Sequence, residues 1–423
     1  MNDLKVKIII FVLLAIVFLL PFFSAQNFSP ASDETTHIPS GYTYIKTGEL
    51  KLNPQHPPLV KILAALPLTL LNLKFDPLDP YFSSPLFDEW QFGKRFLASN
   101  DIGKILIFSR FVIQALSVLL AFYLYKWASE MFGSKAGILA LFIYAFMPNI
   151  IAHAQFVTMD MAVSAFTFVA IYYIWKFFRT NRSGDLILSG VFLGLGLSSK
   201  FSAVVFMPVM AVFLLIHVWR LNLVADLKIR KYLICSLLVF LSSFLIVYGL
   251  YFFPKDLGFY IRGMRLIYAD WSDNFKFYLN GNFSSDGWWY YFIFVFLIKT
   301  PIPFLIGLLT AVAMMVKRKY VLSNWNKAFL LISPIFFFIV TTLKAGDIGV
   351  RYILPIYPFL ILFVSGWIVQ LIKSLNSNIK IAAILILAVW YAGSAIWVYP
   401  DYLSYFNEFI GGSAHGYKYL NDS

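Results

Sequence analysis

The sequence predicts an all-α integral membrane protein, a bundle of about eleven transmembrane helices with amphipathic or re-entrant helices in its extracytoplasmic loops. Of its 423 residues, 60% are hydrophobic and only 13% are charged, whereas soluble domains hold roughly 45–50% apolar and about 25% charged residues. The apolar residues also form long runs, such as Ile8–Phe23, Leu233–Phe253 and Ile379–Val398. Each run has about the 20 residues needed to cross a bilayer as a helix.

The first apolar run is interpreted as a retained transmembrane helix, because it is longer than the core of a signal peptide and no small-x-small cleavage site follows it. Hydropathy and turn residues place ten further spans along the chain. The eleven predicted spans lie near 8–26, 105–125, 135–148, 160–178, 186–199, 201–219, 232–252, 301–316, 326–343, 353–372 and 379–398. Several are short for a full crossing, which predicts that one or two are tilted, broken or re-entrant.

The basic charge indicates orientation. With the N-terminus in the cytoplasm, the cytoplasmic segments hold half of the 34 basic residues but only four of the 21 acidic ones. The outer segments are then neutral overall, and the net charge of +13 lies on the cytoplasmic side, as the positive-inside rule predicts. This predicts a multi-pass protein of the cytoplasmic membrane with its C-terminus outside, and it does not favour nucleic acid as a partner.

Residues 1–423 are predicted to form one polytopic domain whose irregular sequence is concentrated outside the membrane. The long outer segments are 27–104, 253–300 and the C-terminal 399–423, and an interfacial or re-entrant helix is predicted over 57–73. Functional residues are usually found on such loops, so chemistry is expected on the outer face. Gly190, Gly194 and Gly196 lie within a span, where small residues favour close helix packing over nucleotide binding.

The first candidate for chemistry is Asp33-Glu34, directly after the first span. Adjacent carboxylates near a membrane are costly when partly buried and are often functional. Asp33 is predicted to begin a helix, with His37 on the same face one turn later. A solvated helix cap is the alternative.

A second candidate is Asp160 at the outer end of the fourth span, either a helix cap or a functional acid. Three cations at outer helix ends complete the set: Lys200, Lys299 and Arg351. Each could simply extend toward lipid phosphate. Together, opposite the outer acids, they indicate a site for an anionic lipid headgroup.

These residue types suit sugar transfer from a lipid phosphate. A carboxylate can take the proton of the acceptor, and cations stabilise the charge that develops on the departing phosphate. A single carboxylate that acts directly would invert the anomeric centre, whereas two could form a covalent intermediate.

Six stretches of the chain are distinctive: DETTHIPSGYTYIKTGELKLNPQHPPLVKILAALPL, AHAQFVTMDMA, GLGLSSKFSA, FLIKTPIPFLIG, VRYILPIYPFL and YPDYLSYFNEFIGGSAHGYKYLNDS. They resemble the phospholipid carrier-dependent glycosyltransferases of the GT-C superfamily, which include protein O-mannosyltransferases and the aminoarabinose transferase of lipid A. The resemblance covers essentially the whole chain.

The resemblance implies roles for individual residues. Asp33 would be the catalytic base, Glu34 would support it or contact the acceptor, and Asp160 would be the second acid of the outer cavity. His56, Lys200, Lys299 and Arg351 would face the carrier phosphate. His37, Tyr42 and Arg262 are candidates for substrate contact. Many relatives continue beyond the point corresponding to Ser423, so a naturally short, split or trimmed chain is expected, and recognition of the acceptor is left open.

The expected function is a glycosyltransferase that moves a hexose-type sugar, mannose first, from a polyprenyl-phosphate carrier to an extracytoplasmic protein hydroxyl or glycolipid. No cofactor is expected. A divalent metal held by Asp33, His37, His56 and Asp160 is the less favoured alternative, because their spacing is scattered. The competing function is a transporter or flippase, for which midplane charges and paired repeats would be expected. A non-catalytic subunit of a membrane assembly is the third class.

Overall fold

The computed structural model describes residues 3–83, 88–221, 224–269, 276–317, 324–374 and 378–420. These residues are mostly helical, and the sheet among them is one short two-stranded antiparallel hairpin. The predicted all-α membrane class is confirmed.

The helices and strands follow one another along the chain with short connections. The first ten α-helices are α1 (Asp3–Ala25), α2 (Glu34–Thr47), α3 (Leu59–Ala65), α4 (Pro80–Ser83), α5 (Glu89–Ala98), α6 (Ile102–Phe132), α7 (Ser134–Ala145), α8 (Pro148–His153), α9 (Met159–Thr180) and α10 (Ser183–Leu197). The others are α11 (Phe206–Trp219), α12 (Ala225–Leu250), α13 (Phe259–Ala269), α14 (Tyr291–Lys299), α15 (Ile302–Val316), α16 (Asn324–Lys344), α17 (Tyr357–Lys373) and α18 (Asn378–Trp397). Strand β1 (Phe277–Leu279) pairs with β2 (Asn282–Ser284), and 3₁₀ helices cover Leu66–Leu70, Phe201–Val205, Val350–Ile356, Tyr402–Ser404, Glu408–Ile410 and Ser413–Lys418.

Each of the eleven predicted spans coincides with a helix. Within the described residues, seven helical segments are long and apolar enough to cross a membrane, and a bent pair, α14 with α15, makes an eighth if it is one span. The seven are Leu4–Ala25, Ile102–Phe132, Met159–Thr180, Phe201–Trp219, Ala225–Leu250, Trp325–Lys344 and Val350–Lys373. The other three predicted spans correspond to shorter apolar helices, Ser134–Ala145, Ser183–Leu197 and Ile381–Trp397.

The break between α14 and α15 fits the general prediction of one or two tilted, broken or re-entrant spans, but its position was not predicted, because α14 lies in the predicted outer segment 253–300. The two helices are bent by 115°. Thr300 is extended there, with φ −101° and ψ 132°, as expected for a residue before proline. Pro301 has no amide hydrogen and cannot continue the hydrogen-bond ladder of α14.

Residue contacts divide the chain into two compact units, each built from separate stretches. The first comprises Met1–Ser24, Ser117–His153 and Asp273–Ser423, and the second comprises Ala25–Leu116 and Ala154–Ser272. In the first unit, α17 packs against α7, α15 and α16. Gly366 of α17 lies so close to the Phe132 ring that a Cβ there would collide with it.

In the second unit, α10 packs between α9 and α12. A Cβ at Gly190 would collide with Ser242, and one at Gly194 would lie 2.7 Å from the Ser243 carbonyl oxygen. The prediction that these glycines permit close helix packing is therefore confirmed.

The predicted outer segment 27–104 contains a small helical cluster in which α2 packs against α3 and α5. Gly41 of α2 directly faces the Lys61 carbonyl, and Gly93 of α5 faces the Thr35 carbonyl. The helix predicted over 57–73 is observed as α3 continued by the 3₁₀ helix Leu66–Leu70.

Candidate active site

The first feature of the candidate site is the start of α2. Asp33 occupies the N-cap position, and its carbonyl accepts hydrogen bonds from the amides of Thr36 and His37 at 3.2 and 2.9 Å. Its half-buried side chain does not cap the helix. An anionic group at this position is stabilised by the helix dipole. The prediction that Asp33 begins a helix is confirmed.

The next residue, Glu34, is fully buried and its carboxylate is saturated with donors. Oε1 accepts from Arg110 Nε and the Val157 amide, both at 2.9 Å. Oε2 accepts from Arg110 Nη2 at 2.7 Å and the Ala31 amide at 2.9 Å. Of the two predicted roles for Glu34, the geometry supports holding the start of α2. Contact with the acceptor is not supported, because Glu34 is 0% exposed.

The guanidinium of Arg110 also fixes the chain that leads into α2. It donates to the carbonyls of Ala25 at 2.6 Å, Phe28 at 3.0 Å and Ser29 at 2.8 Å. Buried charges are stable only when they are paired and hydrogen-bonded, and this one satisfies both conditions. Sequence reasoning missed Arg110, although a lone arginine inside an apolar run is a signal for such a role.

Two histidines lie against each other near the start of α2. The rings of His37 and His56 contact edge to face, with centroids 5.3 Å apart. His37 Nδ1 lies 3.1 Å from the Val157 carbonyl, and because a carbonyl can only accept, Nδ1 must carry a proton. The chain thus brings His37, one turn after Asp33, to His56 of the QHPPL segment.

The segment that carries His56 is held by a buried amine. Lys61 is 0% exposed, and its Nζ donates to the carbonyls of Asn53 and His56 at 2.6 and 2.7 Å. Lys61 Nζ also donates to the Tyr44 hydroxyl at 3.0 Å and to Asn53 Oδ1 at 3.2 Å. Burial lowers the pKa of Lys61 to about 7, and the negative charge of Glu89 opposes this shift. Lys61 was also missed, although it interrupts an apolar run.

Glu89 of α5 also fixes the segment that carries His56. It accepts hydrogen bonds from the Asn53 amide at 2.7 Å, from Asn53 Nδ2 at 3.0 Å and from Gln55 Nε2 at 2.6 Å. Asn53 has a left-handed backbone with φ 51°, a conformation that asparagine tolerates better than most residues. The turn before His56 is therefore fixed by both α3 and α5.

A cavity of about 570 Å³ opens beside this turn. His56 and Tyr44 line it together with Arg262 and Arg265 of α13. Its volume lies within the usual range of small-molecule sites. Arg262 pairs with Asp256. The prediction that Arg262 contacts substrate remains a prediction, and Arg265 joins it as a second cation that the sequence prediction did not select.

Asp160 and Lys200 form a partly buried ion pair in the same unit. Lys200 Nζ lies 2.6 Å from Asp160 Oδ1, and their side chains are 14% and 5% exposed. Asp160 lies in the first turn of α9, and Lys200 lies between α10 and the 3₁₀ helix Phe201–Val205. Within the described residues, neither of them lines the cavity, and nor does Asp33.

The predicted cations Lys299 and Arg351 belong to the first unit. Lys299 is 1% exposed; its Nζ donates to the Leu403 carbonyl at 2.8 Å and lies 3.9 Å from the centre of the Phe406 ring. The predicted contact of Lys299 with a carrier phosphate is therefore not supported. Arg351 is half-buried in the 3₁₀ helix Val350–Ile356, and its proposed role remains a prediction.

The prediction that Tyr42 contacts substrate is not supported by its burial. Its side chain is 2% exposed, with its ring centre 5.3 Å from that of Phe96 and 6.3 Å from that of Phe75. Tyr42 is part of the core between α2 and α5. The tyrosine of α2 that reaches the cavity is Tyr44.

The alternative metal site is not assembled. Among the residues that the structure describes, no group of three or more His, Cys, Asp or Glu side chains could hold a metal ion. Asp160 is instead paired with Lys200.

Comparisons with known proteins agree on the fold. A family model described as dolichyl-phosphate-mannose-protein mannosyltransferase matches residues 101–248. The structure of ArnT from Cupriavidus metallidurans bound to undecaprenyl phosphate matches with a TM-score of 0.56 and 14% identity, over 93% of this chain and 69% of that one. The chain has a GT-C fold.

A second solved structure supports the assignment of the fold. An oligosaccharyltransferase from Archaeoglobus fulgidus, tethered to an acceptor peptide, matches with a TM-score of 0.52 and 12% identity, over 95% of this chain and 55% of that one. No curated protein sequence matches the chain. The GT-C fold that the resemblance implies is therefore confirmed.

Proposed function

We propose that this GT-C protein transfers a hexose-type sugar from a polyprenyl-phosphate carrier to an extracytoplasmic acceptor, with Asp33 as the general base. The observation that carries the proposal is the arrangement at the start of α2. Asp33 lies one helical turn from the His37–His56 contact, and His56 lines a cavity with two arginines. The ArnT structure that shares this fold is bound to undecaprenyl phosphate.

In the proposed reaction, the acceptor hydroxyl gives its proton to Asp33 as its oxygen bonds to the anomeric carbon. The bond from that carbon to the carrier phosphate breaks, and its electron pair leaves with the phosphate. Arg262, Arg265 and His56 would stabilise the charge that accumulates there, an interaction that grows toward the transition state. With one acting carboxylate, the anomeric centre inverts.

Glu34 and Arg110 have positioning roles in this proposal. Their buried ion pair fixes the chain from Ala25 to α2 and so sets the direction in which Asp33 points. Catalytic groups need such support, because a displacement of about 1 Å can cost roughly a hundredfold in rate.

Mannose is the proposed sugar, supported by the description of the matching family model. The proposed acceptor is a protein hydroxyl, or a glycolipid. Transfer of aminoarabinose to lipid A is the weaker proposal.

The test is a transfer assay with the purified protein in liposomes. Radiolabelled polyprenyl-phosphate mannose is supplied with a Ser/Thr-containing peptide, and aminoarabinosyl carrier with lipid A forms the second pair. Mass spectrometry should detect one glycosylated acceptor and an equal amount of free polyprenyl phosphate. A flippase would move the donor between leaflets without releasing carrier phosphate, and that result would overturn the proposal.

A further inference from the structure

A second cavity lies in the second unit, and none of its lining residues belongs to the candidate active site. It has a volume of about 460 Å³ and is bordered by the end of α9, the start of α10 and the first half of α12. The basic residues near these helix ends mark them as cytoplasmic under the positive-inside rule. The proposed sugar transfer uses none of these residues.

The rim of this cavity is polar and basic. Arg230 and Lys231 of α12 lie on it with Asn181 and Ser183, the first residue of α10. Lys231 Nζ is 3.3 Å from Asn181 Oδ1. The helix dipole of α10 adds positive potential at Ser183. The rim therefore has the chemistry that binds a phosphate group.

Among the described residues around this cavity, basic side chains outnumber acidic ones; the acids are Asp185 and Asp226, the latter exposed one turn before Arg230 on α12. Asp185, the acid nearest to Ser183 in sequence, is buried and accepts a 2.5 Å hydrogen bond from the Thr180 hydroxyl. Lys176 lies 3.8 Å from the same carboxylate. Arg179 of α9, Arg182 just before α10 and Lys228 of α12 add further positive charge.

The rest of the lining is apolar. Phe177 and Leu186 form one side, and Ile234 and Leu238 of α12 form the other. Only 22% of the apolar window of α12 is buried within the protein, and Ile234 is 49% exposed. The cavity therefore adjoins a helix face that must meet lipid chains in a membrane.

We propose that this cavity binds an anionic phospholipid, with the headgroup phosphate on Arg230 and Lys231 and an acyl chain along Ile234 and Leu238. A soluble phosphate would use the rim but leave the apolar lining unoccupied. A zwitterionic lipid would fit the lining but gain less from the two cations. Basic cavities between membrane helices on the cytoplasmic side bind anionic headgroups in this way.

Labelling of Cys235 can report whether this cavity is occupied. Cys235 is the only cysteine of the chain, and it lines the cavity next to the proposed acyl chain. A bound lipid should shield the thiol, so the rate at which a small membrane-permeant thiol reagent labels Cys235 measures occupancy. Cys235→Ser gives the background.

The experiment compares labelling in nanodiscs of phosphatidylcholine with and without phosphatidylglycerol. We expect phosphatidylglycerol to slow labelling in the wild type, while inorganic phosphate added to phosphatidylcholine discs does not. The double variant Arg230→Gln/Lys231→Gln should need roughly 25-fold more phosphatidylglycerol for the same protection, since each cation near an anionic headgroup contributes about fivefold. Lys317→Gln/Lys373→Gln, which removes two cations at other helix ends, should behave like the wild type.

Three results would overturn the proposal. They are equal protection by the two lipids, protection by inorganic phosphate alone, and protection by phosphatidylglycerol that the double variant leaves unchanged. Because the comparison of lipids uses the wild-type protein, it decides the question even if the double variant does not fold. Sugar transfer is not the readout, so the result is independent of the proposed enzymatic function.

Discussion

Two adjacent carboxylates at the start of α2 have different surroundings and therefore different roles. Glu34 is buried and receives four hydrogen bonds, two of them from Arg110. Asp33 is half-buried at the N-cap. Only Asp33 has the accessibility that a base needs to reach an acceptor.

Arg110→Met tests the structural role of the Arg110–Glu34 ion pair. It leaves the Glu34 carboxylate buried without its cation, and breaking a buried pair in this way costs about 3–5 kcal/mol. We expect a clearly lower unfolding temperature in detergent. Arg95→Met is the matched control, because the Arg95 side chain is 53% exposed beside Asp79. Equal stability of the two variants would contradict the role given to Arg110.

Lys61→Met tests the fixation of the His56 turn. Methionine fills a similar volume but leaves the carbonyls of Asn53 and His56 without their donor, and each buried unsatisfied group costs about 1–3 kcal/mol. We expect the KM for the sugar donor to rise about tenfold, with a smaller fall in kcat. Lys74→Met on the exposed surface should change neither constant. An unchanged donor KM in Lys61→Met would show that the turn does not position the cavity.

Among the elements, the local features of the sequence were the most predictable. The sequence predicted one or two tilted, broken or re-entrant spans without placing them, and the short connection at Lys200 follows from two adjoining apolar runs. The sequence could not show that Tyr42 packs against Phe96 and does not line the cavity, because both contacts depend on the fold. The contact of the Val157 amide with Glu34 joins residues 123 positions apart, and no local pattern reveals it.

The loop between α16 and the 3₁₀ helix Val350–Ile356 carries a prediction about pH. Burial raises the pKa of Asp347 from its ordinary value of 3.8 to about 6, and the hydrogen bond from the Trp288 amide opposes the shift. The folded state then binds this proton more tightly than the unfolded state. The stabilisation is fully present below pH 3.8 and is lost as the pH rises through about 6, so the unfolding temperature should fall over this interval.

In Asp347→Asn the unfolding temperature should fall less over this pH interval. The side-chain amide oxygen of asparagine can accept the hydrogen bond from the Trp288 amide but does not titrate. The measurement is the unfolding temperature of both proteins from pH 4 to pH 7. Asp286→Asn, at an exposed position, should keep the wild-type slope. Identical slopes for the wild type and Asp347→Asn would contradict the assignment to Asp347.

At the scale of the whole molecule, composition and the spacing of apolar runs were enough to predict a helical membrane protein, and the quoted motifs indicated the GT-C superfamily. The division into two units of interleaved segments could not be predicted, because it depends on contacts between distant stretches. The sequence also did not reveal Arg110 and Lys61 as the residues that fix the site. Their partners are mainly backbone carbonyls and a carboxylate whose position depends on the fold.

The central claim is that Asp33 removes the proton from the acceptor. The most direct test is the rate of sugar transfer by Asp33→Asn, measured together with binding of the polyprenyl-phosphate donor and with Asp286→Asn as the control. We expect kcat to fall by about 10²–10⁴-fold, the usual contribution of a general base, while donor binding and unfolding temperature stay close to the wild type. Transfer by Asp33→Asn at the wild-type rate would show that another group is the base.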